Sequence, residues 1–232
     1  MTTRKNQANL TSAEWNDLID AINQTHGTGA STPAYREFVN VHVRAMDMQD
    51  HDAMTWGVHS MGPMMPGRNF LAWHRRLLTR FEKRLKKVHS GIALPYWDTV
   101  SAPNIPQRLA DPALLNSWSV VRQWKPVKLP NQSDMDALNS FTTFDLFQNA
   151  LEVTVHNSVH RAVGGNMVSS ASPSDPLFWL HHANIDRIWA EWQGFPRGQN
   201  PTNRNETLQP KPLFGVKVSA VLKINTLGYQ YA

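Results

Sequence analysis

The stretch SPSDPLFWLHHANIDRIWAEWQ, residues 172–193, places two adjacent histidines in the middle of an aromatic helical pattern. Asp175 followed by Pro176 is a typical helix start, so we predict a helix that runs to the end of this stretch. Adjacent residues on an α-helix point about 100° apart, so only one of His181 and His182 can face a given neighbour. An imidazole in such a place either packs in the core or binds a metal ion.

Apolar side chains at helical spacing recur along the chain and predict a mainly α fold with little strand. The predicted helices cover 12–26, 32–48, 69–88, 141–161 and 175–193. Asn69 is predicted to cap the third helix, and the β-branched triplet at 153–155 can interrupt the fourth. Prolines recur between 91 and 132 and predict long irregular loops, and the tail at 194–232 has only short alternating pieces.

The chain contains no cysteine among its 232 residues. Disulfides and thiolate metal sites are therefore excluded, and any metal ion has to be bound by imidazole or carboxylate groups. We predict one domain over residues 1–232, because no segment has the composition of a linker. No apolar run is as long as a membrane span, and the opening MTTRKNQANLTSAEW lacks the apolar middle of a secretory signal. We therefore predict no membrane partner, and the location stays open.

The formal net charge is +5 and the isoelectric point is about 9.6, which raises the question of a nucleic-acid partner. Much of the excess lies in RRLLTRFEKRLKKVH at 75–89, where it alternates with a helical apolar stripe. No nucleic-acid-binding motif accompanies it. We predict a solvated helix face and no nucleic-acid partner.

The segment HNSVH places His156 and His160 four positions apart, so on a helix both imidazoles project from one face and can chelate one ion. A third ligand has to come from another element. Either His181 or His182 can supply it, while the other packs or orients.

A second group of histidines lies upstream. His42 and His74 fall on the apolar faces of two predicted helices, and His51 or His59 lies between them. Four helices that each carry an inward histidine predict a central four-helix bundle enclosing a dinuclear metal site. Di-iron bundles normally add Glu-x-x-His pairs, and this chain has no Glu three residues before any histidine. Imidazole-only sites favour copper among divalent ions, so the pattern favours paired copper.

These stretches resemble the signatures of a known family. DPLFWLHHANIDRIWAEWQ resembles the copper-B signature of the tyrosinase family of type-3 dicopper proteins, and HNSVHRAVGG and FLAWHRR are similar to its other two hallmarks. The segments RKNQANLT, YREFVNVH, LPYWD and GYQY resemble parts of its small bacterial members of the Streptomyces kind. The resemblance extends across nearly the whole chain.

The resemblance implies six copper ligands in two sets: His42, His59 and His74 for copper A, and His156, His160 and His182 for copper B. His181 matches the non-ligand first member of the histidine pair. His59 is preferred to His51 because VHSM resembles the local context in the family, although the insert SMGPMMPGRN lengthens the following segment. The methionines of MGPMMPG are predicted to fill gaps rather than bind copper.

The resemblance also assigns residues around the metal ions. Glu152 and Asn157 match a pair that holds a water molecule acting as a base, although they could also be a solvated helix residue and a turn former. Arg161 and Ser169, with His160, are implied to contact the substrate. Arg161 could bind a substrate carboxylate or pair with a surface acid.

By resemblance, we predict a monophenol and o-diphenol oxidase that uses two copper ions and O2 as co-substrate to release o-quinones. The expected substrates are small phenols such as tyrosine or L-DOPA, and a helper protein that delivers copper is a further expected partner. The alternatives are a catechol or o-aminophenol oxidase with weak hydroxylation, and a hemocyanin-like oxygen carrier. The carrier is disfavoured because the chain stops just after GYQY, which leaves no C-terminal domain to cover the site.

Overall fold

The computed structural model describes residues 1–26, 34–62 and 67–232. Its longer helices are α1 (Ser12–His26), α2 (Ala34–Ala45), α4 (Phe70–Leu85) and α9 (Leu177–Gly194). Shorter helices are α3 (His51–Met54), α5 (Pro112–Ser117), α6 (Gln132–Ser140), α7 (Phe144–Ala150) and α8 (Asn157–Val163). Strands β1 (Thr2–Arg4) and β2 (Tyr229–Tyr231) form a two-stranded parallel sheet. The predicted mainly helical fold with little strand is confirmed.

Helices α2, α4, α7–α8 and α9 surround a core of aromatic side chains. Phe81 on α4 stacks on Trp179 of α9 with ring centroids 3.7 Å apart, and Phe38 on α2 meets Phe81 edge to face at 5.3 Å. On the other side of α9, Trp192 stacks on Phe147 of α7 at 4.2 Å. These contacts join all four elements around α9, whose residues are buried along most of its length. The predicted four-helix arrangement is therefore present.

The fourth predicted helix is continuous but not uniform. Between α7 and α8, residues Leu151–His156 form a π-helical segment with wider turns than an α-helix. The β-branched triplet at 153–155 lies in this segment, so the expected interruption takes the form of a change in helical pitch rather than a break. The segment ends at His156, and α8 then carries His160. Segments of this kind occur often at functional sites.

Several expectations about the local structure were wrong. Asn69 precedes α4, but its side chain makes no cap bond and instead donates to the Trp56 carbonyl at 2.8 Å and to Glu206. The region 91–132 is irregular over most of its length, as expected, although it includes the short helix α5, and the tail forms short 3₁₀ turns such as Val218–Val221. Helix α6, which lies before Phe141, was not expected. The insert methionines Met64 and Met65, and the predicted start of α2 at Thr32, lie outside the described residues.

The charged face of α4 is only partly solvated, contrary to expectation. Arg75 and Glu82 are buried because each one pairs with a buried group of opposite charge. Arg75 Nε donates to Asp186 at 2.5 Å, and Arg4 Nε donates to Glu82 at 2.8 Å. Arg4 lies on β1, so these ion pairs attach the first strand to α4 and α9.

The two ends of the chain meet at Asp186. Tyr229 and Tyr231 on β2 each donate their hydroxyl to the Asp186 carboxylate at 2.6 Å. The Arg4 guanidinium lies 3.6 Å from the centre of the Tyr229 ring, in a cation–π arrangement. The Tyr-x-Tyr segment therefore closes a buried ionic cluster behind α9. In the described part of the chain, no helix combines the length and the hydropathy that crossing a bilayer requires.

Candidate metal centre

Three imidazoles meet on the side of the bundle formed by α2 and α4. His42 comes from α2, His74 from α4, and His59 from the loop that precedes α4. One nitrogen of each ring lies within 4.8 Å of the others, and the ring centroids are 5.0–5.7 Å apart. His51 is exposed at the start of α3. Of the two alternatives for the middle ligand, the structure brings His59 to this group.

A second group of imidazoles faces the first. His156 and His160, expected to share a helix face, lie with ring centroids 4.4 Å apart. Nitrogens of these two residues and of His181 approach within 4.8 Å of one another. The ring of His182 lies between the groups, 4.8 Å from His156 and 4.2 Å from His74, on which it stacks. Both adjacent histidines of α9 therefore reach the centre, and proximity alone does not select one.

Backbone carbonyls orient three of the imidazoles through one ring nitrogen. His42 Nδ1 lies 2.7 Å from the Ser170 carbonyl, His74 Nδ1 lies 2.8 Å from that of Phe70, and His160 Nδ1 lies 2.5 Å from that of Met167. A carbonyl oxygen can only accept a hydrogen bond, so in each neutral ring Nδ1 carries the hydrogen and Nε2 keeps its lone pair.

The opposite nitrogens are left without partners. Nε2 of His42, His59, His74, His156 and His160 is buried and has no hydrogen-bond partner among the described residues, and the same is true of both ring nitrogens of His181 and His182. Unpaired buried nitrogens are costly unless something binds them. An array of neutral imidazoles with free Nε2 atoms is the donor set that copper or zinc takes. The residues therefore fit two metal ions.

Burial holds five of the histidines neutral. Burial lowers the pKa of His42, His74, His156 and His182 well below its ordinary value, and neighbouring histidines lower it further. Burial lowers the pKa of His160 to about 4. A neutral imidazole is the form that binds a metal ion, so these ligands need not lose a proton at neutral pH.

Glu152 and Asn157 both contact the histidines. Glu152 is buried, with Oε1 3.5 Å from His59 Nδ1 and accepting from the Ser60 backbone amide at 2.9 Å. Asn157 Oδ1 lies 3.0 Å from His156 Nδ1. Glu152 can therefore orient one imidazole of the first group, and Asn157 can orient one of the second.

A cavity of about 180 Å³ leads from the surface to the imidazoles. His42, His59, His156 and His160 form its inner end, and Asn157, Arg161 and Ser169 also line it. Arg161 is exposed, and its guanidinium donates to Ser158 rather than to an acid. Ser169 is exposed and donates to the Asn166 carbonyl. The predicted substrate-contacting residues therefore share one opening.

Two features of the opening were not predicted. Met46 and Val168 line the cavity with exposed apolar side chains. Met46 lies directly after α2 and four positions after His42, a spacing that could have indicated it. The segment 167–170 supplies the carbonyls that orient one imidazole of each group. Gly165 fixes this segment, because a Cβ there would lie 1.9 Å from the Val121 carbonyl oxygen. Every residue has a backbone carbonyl, so the sequence does not show which carbonyls orient a histidine. The two adjacent glycines at 164–165 are the local sign of a special turn here.

Comparisons with known proteins agree with this geometry. A family model described as the common central domain of tyrosinase matches residues 32–121 and 111–194. The tyrosinase of Streptomyces antibioticus is 33% identical, over 90% of this chain and 93% of its own. Hemocyanin 2 of Megathura crenulata is 30% identical over 84% of this chain but only 6% of its own. A functional unit of octopus hemocyanin has a similar fold, with a TM-score of 0.78 at 22% identity, covering 100% of this chain and 68% of that one.

Proposed function

Because the chain belongs to the tyrosinase family, we propose that it is a copper-dependent oxidase that hydroxylates monophenols and oxidises o-diphenols to o-quinones, with O2 as co-substrate. The observation that carries this proposal is the pair of facing histidine groups with free Nε2 atoms at the end of an open cavity. When bound there, copper would provide a redox-active pair that passes electrons from the phenol to dioxygen.

We assign the ligands as His42, His59 and His74 for one ion, and His156, His160 and His182 for the other. His182 is chosen over His181 because the resemblance to the family makes the second histidine of such a pair the ligand, and its ring lies beside His74 and His156. His181 stacks parallel to His156 at 5.4 Å and would support that ring from behind. In this assignment, His182 binds the ion and the adjacent His181 supports a neighbouring ligand, so both members of the pair have a role.

The cavity would admit a single aromatic ring. Met46 and Val168 offer apolar surface at the opening, and the small Ser169 leaves space beside them. Arg161 has no acid partner among the described residues, so its charge is available to a substrate carboxylate. Tyrosine and L-DOPA, which carry both a phenol ring and a carboxylate, suit this combination.

A phenol must lose its proton before its oxygen can be attacked or oxidised, and its ordinary pKa is about 10. We assign Glu152 and Asn157 to hold the water that takes this proton. Their positions beside His59 and His156 support the assignment, because Asn157 lines the cavity and Glu152 contacts His59, whose ring also lines it. Glu152 also fixes the loop that carries His59, through the Ser60 amide.

The activity is tested by mixing the copper-loaded protein with tyrosine and, separately, with L-DOPA under air. Quinone from both substrates is the expected result. Quinone from L-DOPA alone would identify a diphenol oxidase, and neither product together with reversible oxygen binding would identify a carrier. The same assay tests copper delivery by a helper protein. Quinone formation is compared between metal-free protein that receives copper in buffer and metal-free protein that receives copper in a cell extract.

Glu152→Gln is expected to lower tyrosine hydroxylation about 100-fold, because general-base assistance typically contributes a factor of this order or more. Oxidation of L-DOPA should change by less than about threefold, since a catechol loses its first proton more easily. Asp145→Asn, an exposed residue one helix earlier, is the control and should leave both rates unchanged. Equal losses on both substrates would show that Glu152 only supports the fold.

His59→Ala is expected to reduce the copper content from two ions to one per chain, because the first group would lose a ligand. His51→Ala should retain two ions, since His51 is exposed and lies outside both groups. Atomic absorption on the dialysed proteins measures the difference. Full occupancy in the His59 variant would contradict the assignment.

His182→Ala is likewise expected to lose one ion. His181→Ala should keep both ions but bind the ion at His156 and His160 about 10-fold to 100-fold more weakly, because removing a residue that orients a metal ligand has an effect of this size. Copper titration in competition with a chelator measures both effects. The opposite pattern, with the ion lost only from the His181 variant, would make His181 the ligand.

A further inference from the structure

One face of α4 carries positive charge that the bundle does not use. Arg76, Arg80, Lys83 and Arg84 lie within an arc of about 100° around the helix axis, and Lys87 continues the row just beyond its end. Four of these cations border a groove of about 460 Å³ between α4 and the start of α2. The basic groove is lined by Arg80, Lys83, Arg84 and Lys87, with Phe38 and Leu213 as its apolar wall.

None of these cations has a counterion in the part of the chain that the structure describes. In the described ranges, no carboxylate lies within 4.0 Å of Arg76, Arg80, Lys83, Arg84 or Lys87. Residues 27–33 and 63–66, outside those ranges, contain no Asp or Glu. This face therefore carries five neighbouring positive charges that no carboxylate of the described ranges neutralises.

The crowding of like charges has a cost in the isolated chain. Burial lowers the pKa of Arg76, and the positive charge of Arg80 lowers it further. Nε of Arg76 and Nε of Arg84 are buried without a hydrogen-bond partner among the described residues. Such repulsion destabilises the free protein, and an anionic partner would relieve it.

The spacing of the cations indicates the shape of the partner. Arg76, Arg80 and Arg84 repeat every four residues, which is about 6 Å along the helix axis. Carboxylates four residues apart on a second helix have the same repeat, and an apolar side chain between them could contact Leu213, which is only part-buried. The groove offers no aromatic ring for base stacking, because Phe38, the one aromatic residue that lines it, is buried. This feature disfavours a nucleic acid.

We propose that the basic groove is a docking surface for an acidic amphipathic helix of another protein, with carboxylates at every fourth position and an apolar residue facing Leu213. Binding there would leave the cavity to the histidines open, because no residue of the groove lines that cavity. The surface is therefore suited to a partner that is present while the protein is active.

The probe is a fluorescent synthetic helix with Glu at every fourth position and one Leu between the Glu residues, bound to the copper-loaded protein at about 50 mM salt, where surface charges are weakly screened. A second peptide has the same composition with its Glu residues clustered at one end. The protein variants are Arg80→Gln/Arg84→Gln and, as the control, Arg204→Gln/Lys223→Gln, which removes two exposed cations from another surface.

We expect the Arg80/Arg84 variant to bind the patterned peptide at least about tenfold more weakly, and the control variant to change its affinity less than about twofold. The clustered peptide should bind more weakly than the patterned one, and L-DOPA oxidation should be the same in all three proteins. Equal weakening by both variants, equal binding of both peptides, or no binding would overturn the proposal. Tighter groove-dependent binding of a single-stranded oligonucleotide would overturn the choice of partner.

Discussion

His74→Ala is expected to lower kcat for both tyrosine and L-DOPA by at least about 10³-fold, because a bound metal ion contributes several kcal/mol and each 1.36 kcal/mol is tenfold in rate. His74 has the largest expected effect because it lies at the junction of the two groups. Its ring is 5.0 Å from His59 and stacks on His182 at 4.2 Å. Removing the His74 ring would take a ligand from the first ion. It would also take away the surface on which His182, the proposed ligand of the second ion, stacks.

The control for this variant is His89→Ala. His89 is part-exposed on the turn after α4, and its Nε2 lies 2.6 Å from Asp20, far along the chain from either group. Its loss should change kcat by less than about twofold, since surface substitutions away from special features have small effects. Steady-state quinone formation measures both variants. A His74 variant that keeps two copper ions and more than a tenth of the rate would contradict the proposed ligand set.

Asp186→Asn is expected to lower the free energy of unfolding by about 3–5 kcal/mol, the usual cost of removing one partner from a buried ion pair. The Asp186 carboxylate accepts from Arg75, Arg4, Tyr229 and Tyr231, and all four side chains are at least part-buried. A neutral amide would leave both guanidinium groups without full compensation and would turn an NH2 group toward some of these donors. Because the cluster joins both strands to α4 and α9, the loss should appear in global unfolding.

Urea unfolding in excess chelator measures this effect without a contribution from metal binding. Asp136→Asn is the matched control, because Asp136 is exposed on α6 and only accepts from Gln132. It should change stability by less than about 0.5 kcal/mol. A loss below about 1 kcal/mol in the Asp186 variant would show that the cluster does not hold the ends of the chain.

The difference in the free energy of unfolding between the wild type and Asp186→Asn should depend on pH in one direction. Burial opposes ionisation of Asp186, but the charges of Arg75 and Arg4 outweigh it and hold the pKa of the carboxyl below its ordinary value. A carboxyl whose pKa is lower in the folded than in the unfolded state stabilises the folded protein above the unfolded pKa, which is about 3.9. This stabilisation is lost as the pH falls through the pKa of the folded state. The difference between the wild type and Asp186→Asn should therefore be constant above about pH 5 and shrink below about pH 4.

Helical periodicity predicted the bundle well where apolar stripes were long. The stripes of α4 and α9 are strict, and both helices were placed to within a few residues. It failed for Asn69, whose side chain is drawn to Glu206 by a contact distant in sequence. It also failed for Arg75, whose burial depends on Asp186 more than a hundred residues away. Charge pairing between distant elements has no local pattern, so a helix face can look solvated in the sequence and be buried in the fold.

The site was predictable to the extent that it is made of side chains. Histidine spacing alone placed His156 and His160 together, because four residues on a helix fix a common face. Family resemblance added Glu152 and Asn157, which spacing could not have assigned. The carbonyls of Phe70, Met167 and Ser170 were not foreseen, although they decide which nitrogen of each ring is free. Tautomer control by the backbone can be identified only when the loop and the ring are seen together.

The paired metal centre is the central claim, and copper counting combined with electron paramagnetic resonance tests it most directly. The facing histidine groups predict two Cu(II) ions per chain whose spins are coupled, so the oxidised protein should give almost no resonance signal despite full occupancy. A single bound ion, or two ions that together give the full signal of isolated Cu(II), would contradict the account.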